Sequence, residues 1–164
     1  MTLKNVDELI FQPLGLKISN IEEDVESKDY SGCSFTLNQL KIKFRTAKIT
    51  PTKTGQFVTI WKRNEEGETA PFDSNDTFDF YLISASTNNN RGIFIFSKDI
   101  LVEKGILSHG KRIGKRGIRV YPSWDLTESK QAIATQKWQT NYFLDLSQVE
   151  ESYLQKARAL FDLK

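Results

Sequence analysis

From Leu40 to Arg45 the sequence Leu40-Lys41-Ile42-Lys43-Phe44-Arg45 alternates without a break between apolar and basic side chains. Successive side chains of an extended strand point to opposite faces. This hexapeptide therefore reads as a half-buried strand, with Leu40, Ile42 and Phe44 on a core and Lys41, Lys43 and Arg45 on a cationic outer face. Lys48 falls on the apolar parity, which predicts a bulge or the strand's end before it. Two later segments, Phe78 to Ala85 and Ile93 to Phe96, are mostly apolar on both parities, the pattern of strands covered on both faces.

The remaining elements are read around these strands. Asn5-Val6-Asp7-Glu8 sets a capping residue three before a Glu and predicts a short helix to about Phe11, ahead of Pro13. Residues 16–30 are acidic and show no clear period. Pro51-Thr52-Lys53-Thr54-Gly55 reads as a turn and Gln56 to Arg63 as a returning strand, together a basic hairpin. Asn88-Asn89-Asn90-Arg91-Gly92 joins the two apolar strands. A helix is predicted from about Lys98 to Lys104, stopped by Gly105. His109 to Gly117 is a Gly-rich basic loop, and Ile118 to Tyr121 forms one more strand, closed by Pro122.

The last forty residues read as helical. Ala134, Trp138 and Tyr142 recur at four-residue steps. Ser147-Gln148-Val149-Glu150 has the form of a capping box, followed by a stripe of Val149, Tyr153, Ala157 and Leu160. The order of helix, several strands, then helices predicts a single mixed α/β domain over residues 1–164, with a central mixed sheet flanked by helices. A chain of 164 residues can bury a core of its own.

A formal net charge of only +2 hides strong segregation. Residues 31–63 carry Lys41, Lys43, Arg45, Lys48, Lys53, Lys62 and Arg63 with no acid. Residues 64–80 carry Glu65, Glu66, Glu68, Asp73, Asp76 and Asp79 with no base. Residues 104–119 carry Lys104, Lys111, Arg112, Lys115, Arg116 and Arg119, again with no acid. Clustered like charges repel unless facing acids or an anionic partner compensate them. The first basic block has an acidic neighbour that offers internal neutralisation. The second has none within it and reads as the footprint of a polyanion.

Other chemistries are excluded or unsupported. One cysteine, Cys33, rules out a disulfide framework, and with one histidine, His109, it rules out the usual Cys/His zinc sites. Cys33 reads as a small buried residue and His109 as a surface loop residue. The Gly110-Lys111-Arg112-Ile113-Gly114-Lys115-Arg116 stretch lacks the spacing of a phosphate-binding P-loop. No apolar run approaches the roughly 20 residues of a membrane span. The N-terminal eight residues carry acids where a signal peptide would be apolar, so a soluble cytoplasmic protein is expected. A two-strand metal-dependent nuclease site needs an Asp on one strand and Asp/Glu-x-Lys on the next. Asp79 and Lys98 stand at those places, but Phe96 replaces the second acid and cannot ligate Mg²⁺. Rescue would require Asp76 or Asp73 from the preceding loop. Metal and cofactor are both expected to be absent, and Asp79 and Lys98 read as vestiges.

Aromatics lie among the bases: Trp61 beside Lys62 and Arg63, and Tyr121 and Trp124 after Arg119. Single-stranded nucleic acids are held by cationic grooves and by rings on which bases stack. Trp61 and Trp138 read as core residues, while Trp124 fits either a core or a ring face.

Several segments resemble the MepB family: Phe44-Arg45-Thr46-Ala47-Lys48-Ile49-Thr50-Pro51, Gly55 to Arg63, Gly117-Ile118-Arg119-Val120-Tyr121-Pro122-Ser123-Trp124-Asp125 and Thr135-Gln136-Lys137-Trp138-Gln139. Shorter matches are Pro71-Phe72-Asp73, Asp79-Phe80 and Gly92 to Lys98. The resemblance implies a restriction-endonuclease-like, PD-(D/E)XK-related fold without an intact acidic signature. It also implies a bacterial cytoplasmic protein named from an efflux-pump operon, and it supplies no reaction. The expectation is thus a non-catalytic binder of RNA or single-stranded DNA, with no membrane and no small-molecule cofactor. Phosphates would meet Lys41, Lys43, Arg45, Lys53, Lys62, Arg63, Lys111, Arg112, Lys115, Arg116 and Arg119, and bases would meet Tyr121 and Trp124. The alternatives are a metal-dependent nuclease with a migrated acid and a regulatory module whose basic face meets an acidic protein.

Overall fold

The computed structural model describes residues 1–148 and 152–163. Its strands are β1 (Ile18–Glu23), β2 (Cys33–Leu37), β3 (Leu40–Thr46), β4 (Lys48–Ile49), β5 (Gln56–Thr59), β6 (Trp61–Arg63), β7 (Thr69–Pro71), β8 (Phe80–Ser86), β9 (Arg91–Ser97), β10 (Gly117–Val120) and β11 (Phe143–Asp145). The α-helices are α1 (Leu3–Val6), α2 (Lys98–Glu103), α3 (Lys130–Gln139) and α4 (Ser152–Leu160). A six-stranded sheet runs in the order β1-β2-β3-β8-β9-β11, with β3 and β8 parallel and every other pair antiparallel. A three-stranded sheet, β10-β5-β4, and the β6–β7 pair complete the mixed α/β architecture.

Both faces of the large sheet are covered, as the all-apolar β8 and β9 require. On one face Ile42, Phe44, Leu82 and Ile95 meet Val6, Ile10 and Phe11 near the N-terminus and Ala157 and Phe161 near the C-terminus. On the other, Tyr81, Ile83, Phe94 and Phe96 meet Val58, Ile118 and Val120 of the smaller sheet, Ile60 just after it and Leu101 of α2. Burying such rings contributes roughly 1.5–3 kcal/mol each, which makes this two-sided core the dominant stabilising term.

The cationic outer face expected of β3 is corrected by this second layer. Its alternation is real, yet the face carrying Lys43 and Arg45 is covered. Arg45 is only 1% exposed. The acidic stretch with no legible period supplies the cover: it forms β1 and a 3-10 turn over Val25–Tyr30, and between them delivers Asp24. Arg45 Nη1 donates to Asp24 Oδ2 at 2.6 Å, and Lys43 Nζ lies 3.6 Å from the same oxygen. Burial holds the Lys43 ammonium below the usual lysine range, while Asp24 opposes that shift. Gly32 passes so close that an added Cβ would lie 2.8 Å from Arg45 Nη1.

Other boundaries move for local reasons. Thr2, not Asn5, caps the first helix, with Asn5 returning the hydrogen bond, and the turn continues as a π-helix over Asp7–Phe11. The chain leaves the large sheet at Ala47, before Lys48 as expected, so β4 and β5 form their hairpin in the smaller sheet. The returning strand breaks at Ile60, whose N–H donates to Arg116 O, and β6 turns away to pair with β7. The last forty residues are not all helical. Phe143 and Leu144 are buried and extend the large sheet against β9. On α3 the buried positions are Ala132 and Gln139, while Ala134 is exposed and Tyr142 lies in a 3-10 turn. The capping box extends to Val149 and Glu150, outside the described residues. Of the stripe that follows, Ala157 is buried and Tyr153 and Leu160 pack partly against the first core.

Cys33 sits on β2 as a buried residue, and burial foremost, aided by Asp24, pushes its thiol from 9.0 to about 11. The folded chain therefore keeps a proton that the unfolded chain releases above pH 9. The associated stability is complete below pH 9 and is lost as pH rises towards 11. At pH 8 the native thiolate population is about one hundredfold lower than in the unfolded chain. Alkylation by iodoacetamide should be slower by about that factor in buffer than in guanidinium. Equal rates would show Cys33 to be open to solvent.

Candidate nucleic-acid interface

The site is assembled by β10. This strand pairs antiparallel with β5, Arg119 opposite Phe57 and Val120 opposite Gln56, which places it beside the turn that follows β4. Arg119 then secures that turn: its guanidinium donates to Thr50 Oγ1 at 2.6 Å, Thr54 O at 3.2 Å and Gly55 O at 3.4 Å. Gly55 has φ +84°, and Tyr121 packs so tightly on it that a Cβ would meet the ring at 2.7 Å. The turn is thus held with Lys53 projecting beside β10.

The opposite wall is α3, fixed by two glutamines that the sequence pattern does not single out. Buried Gln139 closes the end of β10 as another strand would, accepting from Tyr121 N at 2.8 Å and donating to Arg119 O at 3.0 Å. Gln136 donates to Pro122 O and Asp125 O and accepts from the Thr127 hydroxyl. Ser129 caps the helix through Ala132 N.

Between these walls lies a cleft of about 640 Å³, within the general size range of ligand sites. Lys53 enters it from the first basic block, and Lys104, Lys115 and Arg119 from the second. Tyr121 and Trp138 add rings, and Ser129, Gln131 and Thr135 add hydrogen-bonding groups. Glu128 is the carboxylate of the lining. Among the described residues none of the four cations has a carboxylate within 4 Å. Four cations against the single Glu128 leave the lining net positive, the condition that favours an anionic ligand.

Of the residues expected to bind nucleic acid, the cleft unites Lys53, Lys115, Arg119 and Tyr121. It does not unite the rest. Lys41 is exposed at the start of β3, and Lys43 and Arg45 are held by Asp24. Lys62 pairs with Asp76 at 2.6 Å. Arg63 stacks on half-buried Trp61, 5.5 Å from the ring centre, and donates to Gly67 O. Arg116 donates to Thr69 O. Lys111 is exposed outside the lining, and Arg112 lies over Gly105 past the end of α2. Trp124 packs edge-on against Phe143 with its indole nitrogen buried, which corrects its reading as a stacking face. Lys104, Trp138 and the polar face of α3 are functional candidates that residue-by-residue reading misses. Lys104 belongs to a basic block, but its ring partner Trp138 is 34 residues away in sequence and only the folded chain joins them.

The nuclease-like pair is also accounted for. Asp79 Oδ2 accepts from Lys41 N at 2.7 Å and Asp79 O from Lys98 N at 3.0 Å, so this residue ties β3 to β8 and to the start of α2. Lys98 Nζ donates to Asp76 O. Asp76 is further held by Lys62 and by Asp73 N. Among the described residues no group of three His, Cys, Asp or Glu side chains is placed to hold a metal ion. Among them, too, no helix is long and apolar enough to cross a membrane.

A family profile for MepB-like proteins matches residues 24–145. The chain belongs to the MepB-like family. It is 32% identical to a protein whose crystal structure is that of MepB, with a TM-score of 0.79 over 91% of this chain and 100% of that one. A bacterial homing endonuclease, I-Ssp6803I, aligns over 97% of both chains at 14% identity and a TM-score of 0.41, a likeness too loose to bear on chemistry. No curated protein matches the chain. The MepB-like region spans β2 to β11 and so contains both walls of the cleft.

Proposed function

We propose that this MepB-like protein binds single-stranded nucleic acid, with the phosphate backbone lying along the cleft between β10 and α3. One observation carries the reading: two basic blocks far apart in sequence contribute Lys53, Lys104, Lys115 and Arg119 to one concave surface, and among the described residues none of these charges is matched by a carboxylate within 4 Å. Phosphate contacts of this kind supply affinity with little sequence preference. The Tyr121 ring and the hydroxyls and amides of α3 suit unpaired bases and sugars better than a duplex, whose bases are stacked away. The reading assigns no hydrolytic step, because the Asp79 and Asp76 carboxylates are held in structural hydrogen bonds.

The test is fluorescence anisotropy with labelled single-stranded RNA, single-stranded DNA and duplex across a salt series, with and without Mg²⁺. Both single strands are expected to bind more tightly than the duplex, with log affinity falling linearly against log salt. Absence of binding at low salt would overturn the reading. Cleavage that needs Mg²⁺ and vanishes in Asp79→Asn would replace it with the nuclease alternative.

A further inference from the structure

Trp138 lines the cleft and is half-buried. Phe96 packs tilted against the indole and Tyr142 edge-on, with ring centres 5.5 and 6.4 Å away, and these contacts hold its orientation on α3. Over the ring lies the Lys104 ammonium, 5.5 Å from the centroid. Lys104 caps the last turn of α2 and its side chain is exposed. Among the described residues it forms no ion pair. Its contact with the indole is therefore its principal interaction, and at an exposed site such a contact is weak.

A nucleotide strand offers both partners something stronger. Its phosphate attracts the ammonium, and its base has a flat face for the indole. Base stacking on an aromatic side chain exceeds an exposed cation–π contact in strength. Lys115 and Arg119 line the same cleft, so a backbone drawn to them brings a phosphate to the Lys104 side and a base to the Trp138 side. We propose that Trp138 is a base-stacking subsite and that Lys104 is its displaceable cap, moved from ring to phosphate as a strand enters. This rests on the nucleic-acid reading of the cleft and goes beyond it, because it assigns the two residues coupled and opposite roles towards neutral and charged ligands.

The coupling has a signature that simple charge attraction lacks. A neutral nucleoside must strip Lys104 from the ring and gives it no anion in return, whereas a strand replaces the lost contact. Lys104→Ala should therefore strengthen adenosine binding by about two- to fivefold, the equilibrium equivalent of one exposed cation–π contact. The same substitution should weaken binding of an oligoadenylate by about five- to tenfold at about 0.01 M salt, where one lost phosphate contact costs roughly 25-fold and the uncapped ring returns about two- to fivefold of it. A general loss of fold or of cleft shape would lower both.

The experiment titrates the full chain and Lys104→Ala with adenosine and with a labelled oligoadenylate, reading indole emission and anisotropy together. Trp138→Phe identifies the part of the emission change that comes from Trp138 rather than from Trp61 or Trp124. Opposite shifts for the two ligands, with the emission change lost in Trp138→Phe, support the proposal. An adenosine affinity that is unchanged or weakened in Lys104→Ala overturns the cap. Oligoadenylate that binds by anisotropy without changing Trp138 emission overturns the subsite and leaves the nucleic-acid reading standing. Oligoadenylate that does not bind at all overturns both.

Discussion

Replacing Asp24 by Ala should lower the free energy of unfolding by about 3–5 kcal/mol, the usual effect of removing one partner from a buried ion pair. Asp24 is the carboxylate that faces Arg45 at 2.6 Å, and the Arg45 side chain is 1% exposed. Without Asp24 the guanidinium stays buried, its Nε already without a partner and its Nη1 left with the carbonyl of Phe44. The neighbouring half-buried Lys43 loses its counter-charge as well. The Lys62–Asp76 pair is an internal control. Its side chains are 30% and 26% exposed, and breaking it should cost no more than about 1 kcal/mol. Urea unfolding at neutral pH compares the two. Similar small losses for both would mean that water reaches Arg45 and that the acidic segment does not seal that face of the sheet.

The second large effect concerns binding. The triple substitution of Lys53, Lys104 and Lys115 by Ala should reduce the slope of log affinity against log salt by about 2, and affinity at 0.1 M salt by about fiftyfold once the relief of uncapping Trp138 is counted. All three side chains are exposed and line the cleft, so the fold should be retained. Arg119 is left in place because its guanidinium also secures the turn at 50–55. A matched triple of Lys41, Lys62 and Arg63, outside the cleft, should change the slope little. Equal losses from the two sets would point to diffuse attraction over the whole surface.

The sheet was legible because its signals are local. The alternation at Leu40–Arg45 and the apolar runs at 78–85 and 93–96 became neighbouring strands in the large sheet. The fate of each cation was not legible, because it depends on what covers it. Lys43 and Arg45 have the same parity as exposed Lys41, yet Asp24, 21 residues before Arg45, reaches them from the end of β1 across β2. In the same way α3 is placed partly by Gln136 and Gln139, polar side chains that meet β10 and the loop after it and that the apolar steps of Ala134, Trp138 and Tyr142 do not reveal. Charge segregation pointed to two basic blocks. Only the pairing of β10 with β5 selected which members of each block face one another.

The most direct test of the cleft is to locate the ligand on the protein. Photo-cross-linking a short single-stranded RNA, with the modified peptides mapped by mass spectrometry, should place adducts in segments 115–121 and 128–139, the two walls. Adducts confined to the β3 edge around Lys41, or to the Trp61–Arg63 strand, would contradict the account.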